Sequence, residues 1–162
     1  MSTVRLPDDF AAIIAKGVSC IVGSRDAQLR PSLMRAVASR LGADGREITV
    51  FLSRPHSRQL LQDIASTGHV AAVFSQPSTH RTIQLKATRA VLRNATPDDV
   101  PDMARCETSL DQELQAIGYE PGLAALLLAH ELDDLVAVSF VPEQAFDQTP
   151  GPQAGARIGA AR

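Results

Sequence analysis

The chain has 162 residues, of which 44% are hydrophobic and 21% are charged, as expected for a single globular domain and not for a disordered chain. No apolar run reaches about 18 residues and the N-terminus opens no apolar stretch, so we expect neither a membrane-spanning nor a secreted protein. The two cysteines, Cys20 and Cys106, are too few for a disulfide framework or a cysteine zinc site. A cytoplasmic location is therefore expected.

The net charge of −2 hides an asymmetry between the two halves of the sequence. Residues 1–93 carry 13 basic and 6 acidic side chains, whereas residues 94–162 carry 3 basic and 12 acidic ones. Arginine outnumbers lysine 14 to 2. Solvated charged faces alone can produce such a pattern. The alternative is that the basic half holds an anion, because the rigid guanidinium group suits phosphate.

The first third of the chain predicts one helix followed by three strands. Phe10, Ile13 and Ile14 form a single apolar stripe on a helix that starts near Pro7 and ends at Gly17. The period then changes, and residues 18–23, 31–41 and 47–53 are predicted as strands. Glycines at both ends of residues 42–45 indicate a hairpin between the last two strands.

The remaining elements alternate between helices and strands. Helical spacing covers residues 56–66, an apolar strand covers 69–75, and a half-buried strand begins at Ile83 and keeps its parity to Val91. Thr96 is predicted to cap a helix that runs to Ile117. A short apolar helix at residues 123–129 and a strand at residues 135–141 complete the pattern. We expect one domain over residues 1–145 and a tail rich in proline, glycine and alanine over residues 146–162.

Several kinds of chemistry find no support in the sequence. The four histidines lie far apart, with no pair at the spacing of a zinc-binding helix, so no metal site is predicted. Glycine-rich phosphate loops and the nucleophile elbow of hydrolases are also missing from the sequence. Cys20 alternates with Val18 and Val22, which predicts a small core residue.

One polar region remains as a candidate site. Arg54, Ser57, Arg58 and Gln59 surround the predicted start of the helix at residues 56–66. Free backbone N–H groups and the helix dipole favour an anion at such a place, and an arginine adds a charge-assisted hydrogen bond. The alternative is that Ser57 caps the helix and the arginines are solvated.

Three segments, together with the C-terminal run at residues 146–152, resemble the FMN-binding split-barrel family typified by pyridoxamine 5′-phosphate oxidase. Residues 30–37 (Arg-Pro-Ser-Leu-Met-Arg-Ala-Val) resemble the arginine-bearing strand that lines the flavin in that family. Residues 51–53 followed by 56–59 resemble its aromatic strand end and its Ser-Arg-Lys phosphate turn. Residues 81–87 resemble the strand whose second residue reaches the flavin ring, and residues 146–152 resemble the ending of small members.

The resemblance implies a mainly β fold with peripheral helices, a six-stranded antiparallel Greek-key split β-barrel. It also implies FMN as cofactor, a homodimer, and a flavin-linked oxidoreductase that acts on a small molecule or takes electrons from a nicotinamide reductant. The phosphate would be held by Ser57, Arg58 and Arg40. The remaining implied site residues border the ribityl chain and the ring or complete the phosphate turn: Arg35, Ala36, Val37, Phe51, Leu52, Gln59 and Thr82.

The chain departs from the family pattern at two of these positions. Gln59 stands where the family has a phosphate-binding lysine, and Thr82 replaces the usual glutamine. No catalytic acid or base is assigned, because no histidine or carboxylate near the motifs is placed to act as one.

Two other functions remain open on the sequence alone. The first is a non-catalytic module that stores or senses flavin, or holds haem, on the same fold. The second is nucleic-acid binding by the basic half, which we do not expect because five Phe and one Tyr offer few platforms for base stacking.

Overall fold

The computed structural model describes residues 4–159, which form four helices and ten strands. The helices are α1 (Asp8–Lys16), α2 (Arg58–Thr67), α3 (Val100–Ala116) and α4 (Leu123–Leu127). Single 3-10 turns, Pro97–Asp99 and Leu132–Asp134, precede α3 and the eighth strand. No helix in this part of the chain is both long and apolar enough to cross a membrane.

The strands form two antiparallel sheets. They are β1 (Ser19–Arg25), β2 (Pro31–Arg35), β3 (Ala38–Leu41), β4 (Ile48–Ser53), β5 (Val70–Ser75), β6 (Thr82–Ala87), β7 (Val91–Asn94), β8 (Leu135–Phe140), β9 (Gln144–Asp147) and β10 (Ala156–Ile158). One sheet has six strands in the order β10-β9-β6-β5-β1-β2, and the other has four in the order β3-β4-β8-β7. The predicted mainly β architecture with peripheral helices is confirmed.

Two predicted strands are each divided between the sheets. Residues 31–41 were expected to form one strand, but the chain leaves the six-stranded sheet after β2 and enters the four-stranded sheet at β3. The crossing lies at Ala36, whose N–H donates to Cys20 O in β1, and Val37, whose N–H donates to Phe51 O in β4. The strand expected to continue to Val91 divides in the same way between β6 and β7. Periodicity shows where side chains point but not which strand is the neighbour, so it misses such a transfer.

The core has two parts, one on each face of the four-stranded sheet. Val22, Phe74 and Leu85 from the six-stranded sheet pack in one cluster with Val50 and Leu52. That cluster fills the barrel interior. On the other face of the four-stranded sheet a second cluster lies beneath α3, built from Phe51, Leu135, Met103, Cys106 and Leu110. Adjacent residues of β4 therefore point into different clusters, as the pleat of a strand requires.

The C-terminal segment contributes two strands that the sequence does not reveal. β9 pairs with β6 and crosses residues 145–146, where the sequence predicts the tail to begin. β10 pairs with β9 through Phe146 and Arg157. Strands of three or four residues are too short for periodicity to identify, and here they are specified by pairing with an existing sheet edge.

Candidate functional site

The N-terminus of α2 holds a buried hydroxyl group without a hydrogen-bond partner. Ser57 precedes the helix and is only 2% exposed, yet its Oγ bonds neither to the first turn of the helix nor to any other described group. An unsatisfied buried polar group costs free energy, and native structures keep few of them. The first turn of α2 contains no acidic residue that would compete for the free N–H groups. These features fit an anion at this helix start.

The two residues after Ser57 differ in how free they are to reach an anion. Arg58 is exposed and makes no ion pair among the described residues. Gln59 donates through Nε2 to Asp63 Oδ1 at 2.7 Å, one turn further along the helix. The amide of Gln59 is therefore engaged within α2, whereas the guanidinium group of Arg58 is available.

Arg35 and Thr82, which lie far apart in sequence, are connected by a row of polar side chains across the outer face of the six-stranded sheet. Arg35 donates through Nη1 to Ser19 Oγ at 2.6 Å. Ser19 is paired in register with Ser75, and Ser75 Oγ lies 2.8 Å from Thr82 Oγ1. The Thr82 hydroxyl donates to the carbonyl of His80 at 2.9 Å, so it can offer a ligand only a lone pair and not a donor.

The predicted apolar residues of the site are core residues. Phe51 and Leu52 are fully buried, and Ala36 and Val37 are nearly so. Their side chains fill the two core clusters and leave only their backbone near the β2–β3 crossing, where Val37 N already donates to Phe51 O at 2.8 Å. These residues can support a ligand from beneath, but their side chains do not form an open wall for it.

Arg40 lies in a network of charges that ties α3 to the four-stranded sheet. Its Nη1 donates to Asp99 Oδ1 at 3.0 Å and to Asp102 Oδ2 at 2.8 Å, while its guanidinium carbon lies 5.7 Å from the centre of the Phe51 ring. Arg93 donates to both carboxylate oxygens of the buried Asp99. Hydrogen bonds from Arg93, supported by those from the Thr96 backbone and from Arg40, hold the pKa of Asp99 well below its ordinary range. The charge of Arg40 is therefore largely compensated before any ligand arrives.

Acidic side chains from the second half of the chain thus form ion pairs with some of the basic side chains of the first half. Asp99 and Asp102 pair with arginines of the barrel, and Glu113 of α3 accepts from Lys16 of α1 at 2.6 Å. These pairs explain part of the charge asymmetry without a ligand. Arg35 and Arg58 make no such ion pair within residues 4–159.

The cysteines and histidines form no metal centre within the described range. Cys20 is a buried core residue, as predicted, and burial is the main cause that raises the pKa of its thiol. Cys106 is buried against β3, where its Sγ lies 3.4 Å from both N and O of Ser39.

Sequence analysis missed Ser19 and Ser75, which complete the row between Arg35 and Thr82. Each is a single serine at the end of a strand, and no motif surrounds it. The alternation of Val18, Cys20 and Val22 points Ser19 outward in β1, but the apolar strand at residues 69–75 gave no such parity for Ser75. Only the register of the sheet brings the two serines together.

No protein-family model and no curated protein sequence matches the chain. Solved structures are similar to it over most of its length. HupZ from Group A Streptococcus superposes with a TM-score of 0.56 at 13% identity, covering 93% of this chain and 99% of that one. A pyridoxamine 5′-phosphate oxidase-related, FMN-binding protein from Nostoc punctiforme gives 0.53 at 12% identity, covering 94% and 89%. An F420 reductase gives 0.51 at 13% identity, covering 86% and 98%.

These TM-scores and coverages establish similarity of fold. The chain has the pyridoxamine 5′-phosphate oxidase-like split-barrel fold that its sequence motifs predict.

Proposed function

We propose that the protein binds FMN and that Ser57 and Arg58 hold the phosphate of the cofactor. The observation that carries the proposal is the buried, unpartnered Ser57 Oγ at the start of a ten-residue helix. Phosphate oxygens would satisfy this hydroxyl, take up the free N–H groups of the first turn and pair with Arg58. Similarity to an FMN-binding protein of the same fold supports the assignment.

The remaining site residues divide into two roles. Arg35 and Thr82, joined through Ser19 and Ser75, would place a donor and an acceptor along one side of the ring system. Ala36, Val37, Phe51 and Leu52 would fix the backbone beneath it. Arg40 would act indirectly, by holding α3 against β3, because its guanidinium group is already bound to two carboxylates.

We further propose that the protein is a flavin-linked oxidoreductase that acts on a small molecule or takes electrons from a nicotinamide reductant. A bound flavin supplies hydride or electron transfer at its ring, and the protein supplies binding, orientation and electrostatics. The similarity in fold to an F420 reductase supports redox chemistry. The rival candidate is a flavin or haem module without turnover.

A spectroscopic titration tests the cofactor and separates these candidates. We expect FMN, added to flavin-free protein, to bind with a shifted flavin absorption band and quenched fluorescence, and NADH or NADPH to bleach that band. Riboflavin should bind at least tenfold more weakly, because it lacks the phosphate. Haem bands in place of flavin bands, or equal affinity for riboflavin and FMN, would overturn the assignment. Tight FMN binding without bleaching by either nicotinamide would favour the storage module.

We also propose that the protein is a homodimer in which a second copy closes the flavin site. The row from Arg35 to Thr82 lies on the outer face of the sheet, and the buried side chains of Phe51 and Leu52 provide no opposite wall. Ile21 and Val73 of the same face remain half-buried and apolar. A two-fold partner would cover them and enclose the ring.

A charge placed in this face should separate the two copies. We expect Val73→Glu to convert a dimer into a monomer in sedimentation velocity and to weaken FMN binding, since the carboxylate would be buried without a partner. Leu126→Glu is the matched control, because Leu126 lies on α4 and is already 78% exposed. A wild-type monomer that binds FMN tightly would contradict the proposal, as would an unchanged dimer in the Val73 variant.

A further inference from the structure

A groove of about 600 Å³ lies on the outer face of the six-stranded sheet, away from the row between Arg35 and Thr82. Gly23 and Ala71 are paired in register and form its floor, where a hydrogen atom and a methyl group leave space above the sheet. Leu29 and Leu33 form an apolar rim and are 68% and 67% exposed. A volume of this size suits a small organic molecule.

A histidine fixes one cation at the edge of the groove. His69 Nδ1 lies 3.0 Å from the carbonyl oxygen of Thr67, which can only accept, so Nδ1 carries the proton. Nε2 is then free to accept from Arg25 Nη2 at 3.2 Å, and Arg25 Nη1 also donates to the backbone carbonyl of Asp26. This arrangement uses a neutral imidazole to orient the guanidinium group without compensating its charge.

A second cation lines the same groove. Lys86 is exposed, and its Nζ lies 5.1 Å from the centre of the Phe146 ring, which leaves the ammonium group charged and only weakly held. Neither Arg25 nor Lys86 has a carboxylate within 4.0 Å among residues 4–159. Elsewhere in that range five arginines are ion-paired: Arg30, Arg40, Arg81, Arg93 and Arg105.

One carboxylate also lines the groove and limits the charge that a ligand can carry. Glu143 accepts through Oε1 from the N–H and the hydroxyl of Thr88 at 3.3 and 2.9 Å, and its Oε2 lies 3.1 Å from the same hydroxyl, so both carboxylate oxygens contact Thr88. With His69 neutral, the lining carries one net positive charge. The groove therefore matches a monoanion better than a polyanion such as a nucleotide.

We propose that this groove binds a small organic monoanion with an apolar body, such as an aromatic carboxylate or sulfonate. The apolar body would lie over Gly23 and Ala71 between Leu29 and Leu33, and the acidic group would meet Arg25 and Lys86. The site is separate from the proposed flavin site, because none of the ten residues assigned to FMN lines it. Lys86 follows Thr82 by four residues on β6, which is about 13 Å along a strand.

The test uses 8-anilinonaphthalene-1-sulfonate, whose fluorescence rises in an apolar site, and its uncharged analogue N-phenyl-1-naphthylamine. We expect one saturable site per chain for the sulfonate in flavin-free protein, and roughly tenfold weaker binding of the neutral analogue. Lys86→Gln and Arg25→Gln should each weaken binding of the sulfonate by roughly tenfold and leave binding of the neutral analogue unchanged. Arg46→Gln removes an exposed arginine outside the groove and should change the affinity for neither compound.

The outcomes distinguish this proposal from that for FMN. The sulfonate should bind with the same affinity to the Arg58→Ala variant and in the presence of saturating FMN or riboflavin. Competition by flavin would overturn the groove as a separate site, and equal affinities for the sulfonate and its neutral analogue would overturn the anion assignment. If the sulfonate binds only to a monomeric Val73→Glu variant and not to the wild-type dimer, the occupant is a second copy of the chain and the proposal is wrong. If Arg25→Gln lowers the melting temperature, the Lys86→Gln variant alone tests whether the groove binds an anion.

Discussion

Replacing Arg58 with alanine is expected to weaken FMN binding roughly ten- to a hundredfold, because charge-assisted hydrogen bonds contribute about 1.5–3 kcal/mol net. Arg58 is exposed and makes no ion pair among the described residues, so its loss should leave the melting temperature nearly unchanged. Fluorescence titration measures the affinity, and riboflavin, which has no phosphate, should bind the variant and the wild type equally.

Two companion variants make this result specific. Ser57→Ala should also weaken FMN binding. It should leave the free energy of unfolding unchanged or raise it, because the hydroxyl that it removes is buried and unpaired. Arg54→Ala removes another exposed arginine from the same turn, one that donates to Asn94, and should leave FMN binding intact. Unchanged FMN affinity in both Arg58→Ala and Ser57→Ala would exclude a phosphate at this helix start. Equal loss of FMN and riboflavin with a lower melting temperature would assign Arg58 a structural role.

Glu113→Gln is expected to lower the free energy of unfolding at neutral pH by about 3 kcal/mol, and the melting temperature of a domain of this size by roughly 6–12 °C. The carboxylate is 3% exposed and accepts from Lys16 Nζ at 2.6 Å, Gln76 Nε2 at 2.8 Å and Ser78 N at 3.0 Å. Burial acts to raise the pKa of Glu113, but these hydrogen bonds outweigh it and lower the pKa to about 2.

The Glu113 carboxylate should also make the free energy of unfolding depend on pH in the acid range. The pKa of Glu113 is lower in the folded than in the unfolded protein. Its contribution to the free energy of unfolding is therefore complete above the pKa of the unfolded state, near 4.5, and is lost as the pH falls towards about 2. The difference in free energy of unfolding between the wild type and Glu113→Gln, measured by urea denaturation, should therefore shrink as the pH is lowered from roughly 5 to 2. Glu107→Gln is the control on the same helix, because Glu107 makes no ion pair within residues 4–159. A constant difference across the interval would show that Glu113 does not stabilise the fold through its charge.

Several elements could be predicted from sequence because their signals are local. The stripe of Phe10, Ile13 and Ile14 identifies α1, the glycines of the turn at residues 42–45 identify the β3–β4 hairpin, and Gly45 adopts the expected left-handed φ of 69°. Motif order along the chain was enough to predict the split-barrel fold. The candidate phosphate turn at Ser57 and Arg58 is also a local feature, since a helix start and its flanking residues are adjacent in sequence.

The tertiary structure decided which of the basic residues are already paired. The family resemblance implied both Arg40 and Arg58 as phosphate ligands. However, the turn before α3 and the first turn of α3 bring Asp99 and Asp102 to Arg40 from about 60 positions away, and no carboxylate among residues 4–159 pairs with Arg58. The row from Arg35 through Ser19 and Ser75 to Thr82 depends in the same way on sheet register, and so does the neighbourhood of Arg25, His69 and Lys86. Periodicity and local signals thus determined most of the helices and strands, and the order of the motifs determined the fold, whereas β9, β10 and the transfers between the sheets were missed. The partners of each charge depend on contacts between residues distant in sequence, and only the packed sheets and α3 establish those contacts.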